Sequence, residues 1–310
     1  MILVCSEDRE VFGFGHRSRA LALFDIFNEL GIEFVCVVTN SQWEKELNSK
    51  SIKTIALNND TGGELEANEL LQKIVYYKNQ FKCFICDGNR FTNHYLSKIK
   101  EQIKKIILID DLGFPVRNQA HVIWNPNSYA TYNLYKGWGE ITLFAGLEFL
   151  LLRKEFYQPK STNQKKSIFI SLGKACDSKI TSLIYELSNQ YNYPVVTSTN
   201  FTVEQMIEAI DNAILTICGA SVTLHEVWTR EGIALPVFQA KDQIHFREYL
   251  SLKKIPYLTT LESSKKEIEN QIRSLLNTFF NRTTTEKKEK QITLSITPNN
   301  SKKLIDELYY

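Results

Sequence analysis

Gly13-Phe14-Gly15-His16-Arg17-Ser18-Arg19 follows a short apolar run, Met1–Cys5, and precedes the apolar helix start Ala20-Leu21-Ala22-Leu23-Phe24. A strand, a glycine-containing loop and a helix N-terminus together accept phosphate. Gly13 and Gly15 let the backbone approach a ligand, and the helix start offers unpaired N–H donors and partial positive charge. His16 stands where a bound diphosphate would sit. An imidazole titrates near neutrality, so His16 is a candidate general base. The competing reading is an ordinary βα turn with a histidine cap.

A second unit of the same kind lies far along the chain. The run Ala213–Cys218 ends in Gly219-Ala220-Ser221, and Val222-Thr223-Leu224-His225-Glu226 opens a helix. The amides and hydroxyls of Gly219, Ala220, Ser221 and Thr223 suit a second set of phosphate oxygens. Glu226 is placed either as a carboxylate favoured by the helix dipole or as an acceptor for a ribose diol. His225 either touches the ligand or simply lies on the helix. Gln239, Asp242, Gln243 and His245 follow the next apolar run, at an edge where α/β sheets commonly meet ligands.

Short continuous apolar runs alternate with helical patterns around both loops. Strands are expected at 1–5, 33–39, 83–87, 105–109 and 121–124, with helices at 19–30, 66–78 and 95–104. A second series has strands at 167–172, 194–197, 213–218 and 234–238, and helices at 179–191, 202–210, 222–231, 243–253 and 265–277. Such alternation predicts α/β architecture with parallel sheets covered on both faces. The polar stretch 157–166, with Pro159, Ser161, Thr162 and Asn163, reads as a linker. The expected domains are therefore 1–156 and 157–310, with the last helix, 301–309, free to pack back on the first. The stretch 283–290 reads as a loop. A cleft between two such domains would suit a bipartite ligand.

The 310 residues exceed a typical single core, which agrees with two domains. The 37 basic and 35 acidic side chains nearly cancel, which gives no electrostatic case for nucleic acid or an anionic membrane. No apolar run approaches a membrane span, and Met1–Cys5 is too short for a signal peptide, so a cytoplasmic protein is expected. Cys83-Phe84-Ile85-Cys86 has CxxC spacing but no second pair and no histidine cluster. It is read as a strand with buried cysteines, and no metal or cofactor is expected.

In this order, Gly13–Arg19, Leu151-Leu152-Arg153-Lys154-Glu155-Phe156 and Gly219–Glu226 resemble segments of the UDP-2,4-diacetamido-2,4,6-trideoxy-β-L-altropyranose hydrolases of pseudaminic acid biosynthesis. These are relatives of the glycosyltransferase that forms lipid II. The resemblance covers nearly the whole chain. It implies a GT-B fold, two Rossmann-like domains facing a cleft, with a UDP-sugar as partner. It makes His16 the catalytic base and Glu226 the ligand of the uridine ribose, with Gly219–Glu226 and Asp242-Gln243 shared with the transferases. Arg19 would serve the loop or the phosphates, or stand as a surface helix arginine. Asp87 would contact the sugar. Asn125 and Tyr129 would line the sugar pocket or belong to a turn around Pro126.

One segment departs from the family pattern. A paired-glycine loop usually follows the first strand of the second domain, whereas this chain has Ser171-Leu172-Gly173-Lys174-Ala175-Cys176-Asp177, with Gly173 alone. Lys174 either compensates with charge or blocks close backbone approach. The implied reaction is attack of water on the sugar anomeric carbon, opposite the diphosphate. His16 takes the proton, and UDP leaves toward backbone amides. No protonated carboxyl is required, unlike in two-carboxylate glycosidases. The alternatives are a GT-B glycosyltransferase, in which an acceptor hydroxyl replaces water, and a catalytically silent nucleotide-sugar-binding protein. The residues leave the oligomeric state open.

Overall fold

The computed structural model describes residues 1–9, 15–77, 80–113, 119–137, 139, 141–160, 166–173, 176–198, 200–281 and 299–309. Gly13, Lys174, the 161–165 part of the polar stretch and the 283–290 loop lie outside them, as does the side chain of Asp242. The chain divides into two compact units, Met1–Arg153 with Thr297–Tyr310, and Lys154–Ile296.

The first unit is built on seven strands: β1 (Ile2–Ser6), β2 (Phe34–Val38), β3 (Thr54–Ala56), β4 (Cys83–Asp87), β5 (Lys105–Ile109), β6 (Val122–Asn125) and β7 (Thr142–Ala145). Their order is β3-β2-β1-β4-β5-β6-β7, and every pairing is parallel. Helices α1 (Gly15–Leu30), α2 (Ser41–Ser49), α3 (Glu64–Ile74) and α4 (Asn93–Lys100) connect them. All five β1 residues are buried because helices cover both faces. Leu3 and Cys5 pack with Leu70, Tyr95 and Leu96 on one side, and Ile2 and Val4 with Ala20, Phe24 and Phe27 on the other. The chain order reverses at β1, which lies between β2 and β4. A crevice opens beyond the carboxyl ends of strands at such a point, and ligands of doubly wound sheets bind there.

In the second unit the strands are β8 (Ser167–Ser171), β9 (Val195–Thr197), β10 (Ala213–Gly219), β11 (Ala234–Phe238) and β12 (Leu258–Thr259), ordered β12-β11-β10-β8-β9 and all parallel. Its helices are α5 (Ser178–Ser188), α6 (Val203–Asn212), α7 (Val222–Thr229), α8 (Ile244–Leu252) and α9 (Lys265–Phe280). The reversal lies between β8 and β10, so the loops bearing Gly173 and Gly219 flank it. Buried Arg230 pairs with Asp211 and donates to the carbonyls of Phe156 and Gln158, which ties the start of this unit to its body. The chain returns to the first unit with α10 (Asn299–Tyr309), whose Leu304 and Ile305 join the core beside α1.

Four elements were not expected from the sequence. Helix α2 reads SQWEKELNS and buries only Trp43 and Leu47, and its start is fixed by Asn40 accepting from the amides of Gln42 and Trp43. Strands β3 and β12 are two or three residues long, and β7 is half-buried along most of its length. Short edge strands carry too little apolar sequence to stand out from loops.

Candidate functional site

His16 is the second residue of α1, just beyond the carboxyl end of β1. Asp87 closes the neighbouring β4, and Asp111 follows β5 by two residues. The three come from distant parts of the sequence and meet because β1, β4 and β5 are adjacent. His16 Nδ1 lies 2.8 Å from Asp87 Oδ1. Arg19, one turn further along α1, donates through Nε to Asp87 Oδ2 at 2.9 Å and through Nη2 to Asp87 Oδ1 at 2.7 Å. It also donates through Nη1 to Asp111 Oδ1 and through Nη2 to Asp111 Oδ2, both at 2.8 Å. One guanidinium thus holds two carboxylates, each in a bidentate fork.

Burial shapes the electrostatics. It acts to lower the Arg19 pKa, but the Asp111 and Asp87 carboxylates outweigh it and raise the value. Burial alone would raise the Asp111 pKa; the Arg19 guanidinium overcomes it and holds that carboxyl at about 2. Asp111 also accepts from Asn127 Nδ2 at 2.7 Å, and its backbone carbonyl accepts from the Tyr129 hydroxyl at 2.7 Å. Asp111 is therefore anionic near neutrality.

Asp87 Oδ1 and Asp111 Oδ2 lie in reach of the two hydrogens of Arg19 Nη2, and His16 Nδ1 lies 2.8 Å from both Arg19 Nη2 and Asp87 Oδ1. In the tautomer with the proton on Nδ1, His16 donates to Asp87 and Nε2 is an acceptor, the state a general base requires. In that tautomer Asp87 would orient the ring, as the acid does in a serine-protease triad.

Among the described residues, His16, Asp87 and Asp111 each bring one potential metal-ligand atom within 4.8 Å of the others. The sequence reading found no such cluster, because its members are separated by 71 and 92 positions from their α1 partners. The guanidinium already fills the space between the carboxylates as the resident cation.

The neighbouring backbone braces this group. The Glu7 amide donates to the Asp87 carbonyl at 2.7 Å, and Glu7 forks onto Arg9. Gly88, directly after Asp87, has φ +146°, and a Cβ there would lie 2.9 Å from that of Glu7. Asp8 accepts from the amides of Thr39 and Asn40 at 2.7 and 2.9 Å, while its carbonyl accepts from Arg17.

Several sequence expectations change in detail. Arg19 is a buried member of the cluster, 4% exposed, and not a surface helix arginine. Asp87 faces His16 and Arg19, which accounts for its carboxylate without a sugar. Asn125 was expected to line a sugar pocket or belong to a turn. It is fully buried, donates to the Tyr135 hydroxyl at 2.7 Å and accepts from Asn127 at 2.8 Å, so it supports Asn127 from behind. Tyr129 is half-buried beside Asp111. Gly15 begins α1. Asp111 and Asn127 escaped the sequence reading. The signal available was an acid just after the apolar run of β5, the position that Asp87 occupies after β4.

In the second unit, Gly219 ends β10 and Ser221 precedes α7 without its side chain capping that helix. Ala220 is buried, and Thr223 is half-buried on the first turn. The amide Nε2 of Gln239 is buried beside Gly219 with no hydrogen-bond partner among the described residues. Such a donor is costly unless an acceptor arrives. Gln243 Oε1 accepts from the amides of Gln239 and Ala240 at 2.8 and 3.3 Å, which ties down the loop after β11. Glu226 is buried on α7. His225 is packed against Trp228 and Phe246, with ring centroids 5.8 and 5.3 Å away. Gly173 has φ +72° with nothing within 4 Å of a built Cβ, so its conformation and not crowding calls for glycine.

No protein-family model matches the chain, and no curated protein matches it. Solved structures do. MurG of Acinetobacter baumannii aligns with TM-score 0.65 at 13% identity, over 99% of this chain and 98% of that one. The fold is GT-B. The spinosyn rhamnosyltransferase SpnG, complexed with spinosyn aglycone, aligns with TM-score 0.64 at 12% identity over 100% of both chains. UDP-GlcNAc 2-epimerase of Neisseria meningitidis, bound to UDP-GlcNAc, aligns with TM-score 0.58 at 12% identity, over 99% of this chain and 98% of that one. This GT-B chain has no helix long and apolar enough to cross a membrane among its described residues.

Proposed function

We propose that this GT-B chain hydrolyses a UDP-linked 2,4-diacetamido-2,4,6-trideoxyhexose in pseudaminic acid biosynthesis, with His16 activating water for attack at the anomeric carbon. The observation that carries the reading is the 2.8 Å Asp87–His16 pair, which engages Nδ1 and leaves Nε2 to take the proton of water. Arg19 is spent on carboxylates, so the cluster around His16 is suited to proton removal more than to holding a diphosphate. The phosphates fall to the β10–α7 loop, whose amides and the unpartnered Gln239 donor suit an anionic leaving group. Glu226 takes the uridine ribose. The fold neighbours add support: the epimerase is bound to UDP-GlcNAc, and the other two are MurG and a rhamnosyltransferase. They also favour a second reading, a glycosyltransferase in which an acceptor hydroxyl replaces water at His16.

The deciding experiment incubates the protein with UDP-2,4-diacetamido-2,4,6-trideoxy-β-L-altropyranose and follows UDP and free sugar by NMR. Hydrolysis predicts equal release of both, lost in His16→Ala while UDP affinity is kept. UDP release only when an acceptor alcohol is added would establish the transferase. UDP binding without any release would leave a nucleotide-sugar-binding protein.

A further inference from the structure

Arg19 Nη2 has two hydrogens and three partners in reach: Asp87 Oδ1 at 2.7 Å, Asp111 Oδ2 at 2.8 Å and His16 Nδ1 at 2.8 Å. Two hydrogens cannot serve three acceptors. With Asp111 present, both go to carboxylates, where a charged acceptor makes the stronger bond. His16 Nδ1 is left as a donor, and its acceptor is Asp87 Oδ1. We propose that Asp111 is a positioning residue that sets the His16 tautomer by drawing the second Nη2 hydrogen of Arg19 away from Nδ1.

Without Asp111 the planar guanidinium is free to tilt until that hydrogen meets a lone pair on Nδ1. The neutral ring then carries its single proton on Nε2, exchanged through water, so no proton is gained or lost overall. Nε2–H is a donor and cannot accept a proton from an attacking water. Asp111 is itself held firmly. Asn127 Nδ2 spends both hydrogens, on Asp111 Oδ1 at 2.7 Å and Asn125 Oδ1 at 2.8 Å. Asn125 donates to the Tyr135 hydroxyl, which donates on to Asp110 Oδ2 at 3.0 Å. The run of side chains from the ends of β5 and β6 therefore ends on the guanidinium and, through it, on the imidazole. The tautomer assignment concerns the protein alone, and only its catalytic consequence rests on the proposed hydrolysis.

The test is ring-nitrogen NMR on the full chain with 15N-labelled histidine, above the pH of imidazole titration. The chain has five histidines, and His16→Gln identifies the relevant signals by their loss. The parent is expected to show the Nδ1–H form, and Asp111→Ala the Nε2–H form. The double variant Arg19→Met/Asp111→Ala removes the competing donor and should return the ring to Nδ1–H. A purely structural role for Asp111 would not produce that reversal. Should Asp111→Ala fail to fold, Asn127→Ala loosens the same carboxylate and should mix the tautomers. An unchanged tautomer in the folded single variant, or no return in the double variant, overturns the proposal. With the sugar nucleotide, Asp111→Ala should lose about 100-fold or more in kcat, the scale of a general base, with UDP affinity changed less than about twofold. The expected tautomer switch in a parent that releases no UDP would keep this inference and remove the hydrolase reading.

Discussion

Each unit places a histidine early on a helix that follows a strand bordering the chain reversal, His16 second in α1 and His225 fourth in α7, and surrounds it differently. His16 has a carboxylate 2.8 Å from Nδ1 and a guanidinium beside it. His225 packs against the rings of Trp228 and Phe246. The difference lies in what the adjacent strands deliver. In the first unit β4 ends in Asp87, and Asp111 follows β5 by two residues. In the second, β11 ends in Phe238 and is followed by a glutamine clamp, Gln239 to Gln243. A shared topology therefore supplies a carboxylate–guanidinium cluster around a histidine once and an amide-rich loop once.

The largest test of that contrast is His16→Ala. Turnover should fall by about 10² to 10⁴-fold, the usual contribution of a general base, and the acid limb of the pH–rate profile should flatten. Calorimetric titration should show UDP affinity held within error. If UDP binding collapses with turnover, the histidine belongs to the phosphate site and the division of labour fails. Glu226→Ala probes the other unit. A buried charge-assisted hydrogen bond is worth about 1.5–3 kcal/mol, so UDP should bind roughly 10- to 150-fold more weakly. Unchanged affinity would remove Glu226 from the ribose role.

The strands on which both sites stand were legible because parallel strands covered on two faces read as continuous apolar runs, as in Met1–Cys5 and Cys83–Asp87. His16 and Glu226 were legible as motifs because a glycine-containing loop leads into each helix. The partners of His16 were not. Asp87 entered as a sugar contact and Asp111 not at all, since their meeting depends on the order β1-β4-β5 and not on sequence spacing. Asn125 shows the same limit: a polar residue at a strand end reads as a ligand contact or as part of a turn until its own neighbours, Tyr135 and Asn127, are known. Helix α2 was hidden by its polar composition, with only Trp43 and Leu47 inward.

Acid should expose the same asymmetry. The Asp111 pKa lies near 2 in the folded chain, against an ordinary value of 3.8, because Arg19 outweighs the effect of burial. A depressed carboxylate adds stability above its unfolded pKa and loses it as pH falls through the folded one. Melting temperature should therefore decline between about pH 4 and 2. In Asp111→Asn the decline over that range should be shallower. An identical acid limb in parent and variant would mean that Arg19 does not secure Asp111 in solution.

The smallest effect separates two glycines. Gly88 in the first unit and Gly173 in the second both sit at positive φ just after strands that border the reversals, but their surroundings differ. A Cβ on Gly88 would press to 2.9 Å from the Glu7 side chain, within the backbone that carries Asp87. A Cβ on Gly173 would meet nothing within 4 Å. Gly173→Ala should then cost only the left-handed backbone term, about 1–2 kcal/mol, and asparagine less. Gly88→Ala should cost more and should also lower turnover, because relief of the contact moves either Glu7 or Asp87. Thermal melts of the two variants order these costs, and parallel assays show whether turnover follows. A larger penalty at Gly173 than at Gly88 would mean that the loop after β8 is more constrained than its open surroundings indicate.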